Sequence, residues 1–192
     1  MIQSWPLIES THLGDFRVFK VRRDRKTSPR TGATHDLYVL DCPDWVNVVA
    51  VTPENELVLI EQYRHGSNTV ELEIPGGVID TSDASPIAAG LRELREETGF
   101  EGHNARVLSC ILPNPAIITN RCYTILVENC VKTHPVSFDQ GEDIITRLVP
   151  WKEIPRAVAS GQIRHSLVIV ALYQFDLWLR NYHASGNSGG IV

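Results

Sequence analysis

Cysteine is sparse in this 192-residue chain: four residues, Cys42, Cys110, Cys122 and Cys130, with no C-x-x-C pair among them. That scatter excludes a zinc ribbon and offers no disulfide framework, so a reducing compartment, the cytoplasm, is the expected home. Positive charge is not in excess either. Eighteen Lys and Arg against 23 Asp and Glu leave a net charge of −5, without the basic footprint that nucleic acid or an anionic membrane surface requires. Long apolar runs are missing: the longest, Leu167 to Leu179, is interrupted by Gln174 and Asp176 and is too short for a bilayer. The N-terminus, MIQSWPLIES, lacks the basic-then-apolar layout of a secretory signal. The expectation is a soluble protein with neither nucleic acid nor membrane as partner. What is present, 43% hydrophobic and 21% charged residues with 13 Gly and 11 Pro, is globular composition on a length that buries a core without staples.

Periodicity orders the chain. FRVFKVRR (16–23) alternates apolar and charged residues and reads as a half-exposed strand, SPRTG as a turn, and HDLYVLD as the returning strand. WVNVVAVTP (45–53) and ELVLIEQYR (56–64) are β-branched and apolar, as central strands are. A short strand at ELEIP (71–75) leads into a glycine turn and a helix, with Ser85 as N-cap, Pro86 at the first helical position and Gly99 as the stop. ARVLSCIL, CYTILVENC and ITRLVP are further strands, and WKEIPRAVASG and HSLVIVALYQFDLWLRNY are helices. This order predicts an α+β domain with a mixed sheet between helical layers. The expected organisation is a β-rich arm over 1–43, a main domain over 44–183 and a flexible tail over 184–192.

The helix over 86–98 carries the chemistry. At about 100° per residue, Ile87, Leu91 and Leu94 make its buried stripe, and Glu93, Glu96 and Glu97 cluster on the far side. Carboxylates at these spacings repel one another, and they sit in the half of the helix where its dipole disfavours negative charge. A divalent cation removes both conflicts, because oxygen ligands on one face suit magnesium or manganese. A solvated face neutralised by Arg92 and Arg95 is the plain alternative. Gly76 and Gly77 before the helix permit backbone angles closed to other residues, which would turn carbonyls toward a ligand; a plain strand-to-helix connection is the equal alternative.

GGVIDTSDASPIAAGLRELREETGF (76–100) resembles the Nudix box, G-x5-E-x7-R-E-U-x-E-E-x-G-U, with U a large apolar residue. Arg92 to Phe100 match at every defined position. The first half departs: counted forward from Gly77, the box's first glutamate falls on Asp83, and counted back from Arg92, on Ala84. In the family that glutamate braces the loop. The resemblance implies an α/β/α sandwich and hydrolysis of a nucleoside diphosphate linked to another moiety. It makes Glu93 and Glu97 the principal metal ligands, completed by Glu96 and the backbone carbonyl of Gly76, with Arg92 orienting the glutamates. Two or three magnesium ions, or manganese in their place, are implied.

Over roughly 15–180 the chain is most similar to the ADP-ribose and nucleoside-diphosphate-sugar pyrophosphatases, through EQYRHG (61–66) and ELEIPGG (71–77). That similarity implies a small nucleotide substrate, split into a nucleoside monophosphate and a sugar phosphate. Arg64 is a candidate phosphate contact, Glu73 a contact to substrate or to metal-bound water, and Pro115 a substrate-site proline. Glu142 in the GEDI loop is the candidate general base or an extra metal ligand, with Asp143, Glu73 and Glu96 as alternatives for the base. It also implies a homodimer in which the arm, with Trp5, Phe16, Phe19, Arg30 and Tyr38, builds the nucleoside pocket. None of the seven histidines is assigned to the metal site. Other diphosphate derivatives, such as dinucleoside polyphosphates or RNA 5′ ends, and a non-catalytic nucleotide sensor are the competing functions.

Overall fold

The computed structural model describes residues 1–138 and 140–184, and the chain divides into two compact units. The first comprises Met1–Asp44 together with Leu112–Arg121. Its strands β1 (Leu7–Asp15), β2 (Lys20–Thr27) and β3 (Thr34–Asp41) form an antiparallel meander. The strand expected at 16–23 begins instead at Lys20, and an additional strand precedes it. The break lies at 16–19, where the Phe16 N–H donates to the Phe19 carbonyl and Arg17 takes a left-handed φ of 64°. Charge pairing fixes this sheet: Arg22 bridges Asp24 and Asp41, and Arg25 pairs with Asp36 at 2.9 Å. Leu112–Arg121 joins it through the Leu40 N–H, which donates to the Ile117 carbonyl, and through Asn120, which donates to the Pro43 carbonyl. This unit is therefore not the contiguous 1–43 arm of the sequence reading.

The second unit comprises Trp45–Ile111 and Cys122–Val192, described here to Ala184. Strands β4 (Trp45–Ala50), β7 (Gly76–Val78), β8 (Phe100–Ile111) and β9 (Cys122–Lys132) form one sheet in the order β7-β4-β9-β8. The β4–β9 pair is parallel and its other pairs are antiparallel, so the sheet is mixed as expected. Strands β5 (Glu56–Arg64), β6 (Thr69–Glu73) and β10 (Ile144–Pro150) form a second, antiparallel sheet in the order β10-β5-β6.

Alternation along β4 sends its side chains into two cores. Val46, Val48 and Ala50 join Ile125, Val127, Ala89 and Leu94 on the side of α1 (Pro86–Thr98). Val49 and Val51 join Leu126, Val168, Leu172 and Phe175 on the side of α3 (Ser166–Ala184). Short α2 (Ile154–Ala159) closes that second core with Ile154 and Ala157. Sheet between helical layers is the α/β/α sandwich that the box implied. The caps of α1 form as read: the Ser85 hydroxyl accepts from the Ala88 N–H, and Gly99 takes a φ of 75°. Among the described residues no helix is long and apolar enough to cross a membrane. The expected tail lies outside the described residues from 185 onward, and Ala184 itself ends α3.

Candidate active site

The site is built where α1 meets β7. Gly76 and Gly77 are not in a turn: they open β7, pairing antiparallel with Asn47 and Val46. Neither has a left-handed φ, so the sequence argument from special backbone angles does not hold. Space is the reason for glycine. A Cβ on Gly76 would stand 2.3 Å from the Val46 carbonyl oxygen, and one on Gly77 would stand 2.5 Å from Oε1 of Glu93. This close approach lets the Gly76 N–H donate to Oε2 of Glu97 at 2.9 Å.

The glutamates of α1 are not a solvated face. Glu97 is 1% exposed and Glu93 9%. Burial is the largest influence on both and pushes their carboxyls up, Glu97 to about 9 despite the Gly76 amide, and Glu93 to about 7 despite the Arg92 guanidinium. The charge of Glu142, on the loop before β10, raises both further and also raises Arg64. Two buried carboxyls near a third acid, offset only in part by Arg92 at Glu93 and by the charge of Arg64 at Glu97, form an oxygen donor set that suits a hard divalent cation. The donors present therefore fit the metal that the family implies.

Glu96 is set apart from that pair. It is half-exposed, and Arg92 stands between it and Glu93, donating from Nη1 to both at 3.0 Å. With that guanidinium interposed, no group of three or more His, Cys, Asp or Glu side chains converges on a metal position among the described residues. The other edge of Arg92 donates from Nε and Nη2 to Asp83, at 3.1 and 2.9 Å, and from Nη2 to the Val78 carbonyl at 3.1 Å. Asp83, not the exposed Ala84, thus takes the bracing position of the box's missing glutamate. Hydrogen bonding from Arg92 holds the Asp83 carboxyl below its usual range.

A cavity of about 370 Å³ opens beside this site, lined by Arg64, Glu73, Gly76, Gly77, Asn47 and His165 among others. Arg64 and Glu73, read separately as substrate contacts, are each other's partners: Nε and Nη2 of Arg64 donate to the two carboxylate oxygens at 3.0 and 2.8 Å. His165 holds Glu73 from the other side, Nδ1 to Oε2 at 3.1 Å. Glu73 is 2% exposed. Burial alone would raise its carboxyl, but the hydrogen bonds from His165 and Arg64 outweigh it and hold it at about 2. One residue earlier, Arg164 grips Glu71 of the same strand through Nε and Nη2. No sequence signal marked His165 or Asn47, because His165 meets Glu73 across 92 positions and Asn47 reads as an ordinary strand residue.

Glu142 is half-buried and Asp143 exposed. Arg30 and Pro115 belong to the first unit, on exposed turns at Ser28–Ala33 and Asn114–Ile117, and are not among the residues gathered here.

The chain is 26% identical over 171 residues to a methanol dehydrogenase activator of Bacillus methanolicus, covering 88% of this chain and 91% of that protein. It is 26% identical over 166 residues to an ADP-ribose pyrophosphatase of Mycobacterium tuberculosis, covering 85% and 78% respectively. A solved structure described as an ADP compounds hydrolase superposes with a TM-score of 0.84 at 20% identity, over 94% of this chain and 97% of that one, which shows a shared fold. The model of the NUDIX domain matches residues 43–167, well over half of the chain. With Arg92, Glu93 and Glu97 arrayed along α1 against Gly76 and Gly77, the chain belongs to the NUDIX domain family and is a Nudix hydrolase.

Proposed function

We propose that this hydrolase splits the pyrophosphate bridge of ADP-ribose or a nucleoside-diphosphate sugar, giving a nucleoside monophosphate and a sugar phosphate. The observation that carries the reading is the buried Glu93–Glu97 pair beside a cavity edged by Arg64. The similarity to the mycobacterial ADP-ribose pyrophosphatase supports the substrate class. Glu93 and Glu97, with the Gly76 carbonyl and with Glu96 at the margin, would hold magnesium or manganese, which supplies neutralisation of the diphosphate and acidification of a water.

The chain's own groups do the rest. Arg64, held flat by Glu73, presents N–H groups that Glu73 leaves free to a phosphate oxygen. Water adds its oxygen to one phosphorus, the bridging P–O bond breaks, and the proton passes to Glu142, whose charge is already felt by Glu93 and Glu97. Arg92, locked by Asp83, offsets the repulsion between Glu93 and Glu96 and fixes the position of both carboxylates. The first unit, with Trp5, Leu7, Ile8, Phe16 and Tyr38 exposed, serves as the dimerisation element, with Arg30 and Pro115 reaching the substrate in the assembled homodimer.

The test is a panel of ADP-ribose, ADP-glucose, GDP-mannose, diadenosine polyphosphates and NADH, assayed with magnesium and with chelator. Magnesium-dependent release of nucleoside monophosphate from the first three, above the others, supports the reading. Preference for dinucleoside polyphosphates replaces it with another diphosphate hydrolase.

A further inference from the structure

Glu73 spends its two oxygens on Arg64 and on Nδ1 of His165. An ionised carboxylate only accepts hydrogen bonds, so Nδ1 carries the ring's proton, and in the neutral ring Nε2 is left with a lone pair. Nε2 has no hydrogen-bond partner among the described residues. The side chain is 39% exposed and borders the same cavity as Arg64. Asn47, on the cavity wall, is 8% exposed; its Nδ2 donates to the Leu167 carbonyl at 3.4 Å, and its buried Oδ1 has no partner. Orientation of that amide follows from its partner, since only the nitrogen can face a carbonyl.

One acceptor without a donor, Nε2 of His165, therefore stands at a cavity whose cationic edge, Arg64, suits phosphate. A ligand that satisfies both carries a hydroxyl group within a few bonds of a phosphate. A diphosphate esterified to a sugar has that chemistry on both sides of the bridge. We infer that Nε2 of His165 accepts a hydrogen bond from a sugar hydroxyl of the substrate, which makes His165 a specificity residue of the proposed pyrophosphatase and rests on that reading. Glu73 acts through His165: it fixes the tautomer and the ring plane, and it ties that ring to the arginine that faces the phosphates.

The experiment compares ADP-ribose with two analogues in the magnesium-loaded enzyme. The methyl ester of ADP lacks the distal sugar, and 2′,3′-dideoxy-ADP-ribose lacks the nucleoside-side hydroxyls. Wild type is expected to lose roughly tenfold in kcat/KM on whichever analogue lacks the contacted hydroxyl. His165→Asn keeps an amide near Nδ1 for Glu73 but withdraws the Nε2 position, and its discrimination is expected to shrink to about twofold or less. His165→Gln returns an amide oxygen toward the Nε2 position and is expected to recover part of it.

Equal discrimination by wild type and His165→Asn on both analogues overturns the inference, as does wild type that treats all three compounds alike. Should wild type hydrolyse none of them, the pyrophosphatase reading falls, and calorimetric binding of the same compounds in EDTA decides the rest. A hydroxyl preference in Kd that vanishes in His165→Asn sustains the contact. No binding, or binding without that preference, removes it.

Discussion

Arg64 and Glu73 face each other as a two-point ion pair at the ends of neighbouring strands, with the carboxylate buried and the guanidinium open to the cavity. Removing the arginine leaves Glu73 with His165 alone. Arg64→Ala is expected to lower stability by about 1–2 kcal/mol, the range between an exposed pair and a fully buried one. Adding Glu73→Gln to it should recover most of the melting temperature but not the activity. Thermal melts and kcat/KM for the two single variants and the double variant check this; recovery of both would make the pair purely architectural.

Glu97→Gln separates chemistry from folding. The Glu97 carboxyl is pushed up to about 9 by burial, so a neutral amide suits its surroundings as well as the acid does. Turnover is expected to fall by roughly a hundredfold or more, while the melting temperature in chelator holds or rises. Unchanged turnover would remove Glu97 from the metal site.

Metal-free protein should weaken toward alkaline pH. A carboxyl raised on folding contributes stability that is complete below its ordinary value near 4.5 and is lost as pH rises through its folded value, here about 7 for Glu93 and about 9 for Glu97. Melting temperature in EDTA is therefore expected to decline between pH 5 and 9, and magnesium to raise it more at pH 9 than at pH 6. A flat profile in EDTA over that range contradicts the burial account.

The two glycines of β7 should fail in different ways. Gly76→Ala drives a methyl group into backbone, 2.3 Å from the Val46 carbonyl, and is expected to open the β4–β7 pairing at a cost of about 1–3 kcal/mol. Gly77→Ala meets the end of the Glu93 side chain, which can swing aside. Its melting temperature should stay near wild type while its magnesium requirement rises severalfold. Denaturant unfolding together with a magnesium titration of activity distinguishes the two.

Asp83 and Ala84 give the sharpest test of the loop. Asp83→Ala strips both hydrogen bonds from Nε and Nη2 of Arg92 and is expected to reduce kcat about tenfold. Ala84→Glu, which supplies the box's glutamate at the exposed neighbouring position, should change nothing. An Ala84→Glu variant that rescues Asp83→Ala would reassign the brace.

Local chemistry was legible wherever it acts over a few residues. The Ser85 cap, the Gly99 stop, the apolar stripe ending in Leu94 and the Arg92 bridge to Glu96 all lie within one helix, and each appears where the residue pattern puts it. The strand at Leu7–Asp15 left no trace, because its residues are mostly exposed and carry no alternation of buried and open positions. Gly76 and Gly77 read as a turn because glycine is ambiguous between conformational freedom and sheer lack of bulk, and only the neighbouring Val46 and Glu93 decide which applies. His165 was invisible for a different reason: its partner is 92 residues away, and pairing at that distance depends on the completed sandwich.

Arg164 and His165 grip Glu71 and Glu73 at the threshold of α3, and the match to the domain model stops just beyond them, at residue 167. The remainder of α3 supplies Val168 to the cavity and Ala171, Leu172, Phe175 and Leu179 to the interior. A polypeptide shortened to the limits of that match would keep every charged group of the clamp yet strip the greasy backing from behind β4. Engineers who trim this enzyme for expression should therefore cut no earlier than the end of its last helix, or accept a catalytic centre whose rear wall has gone.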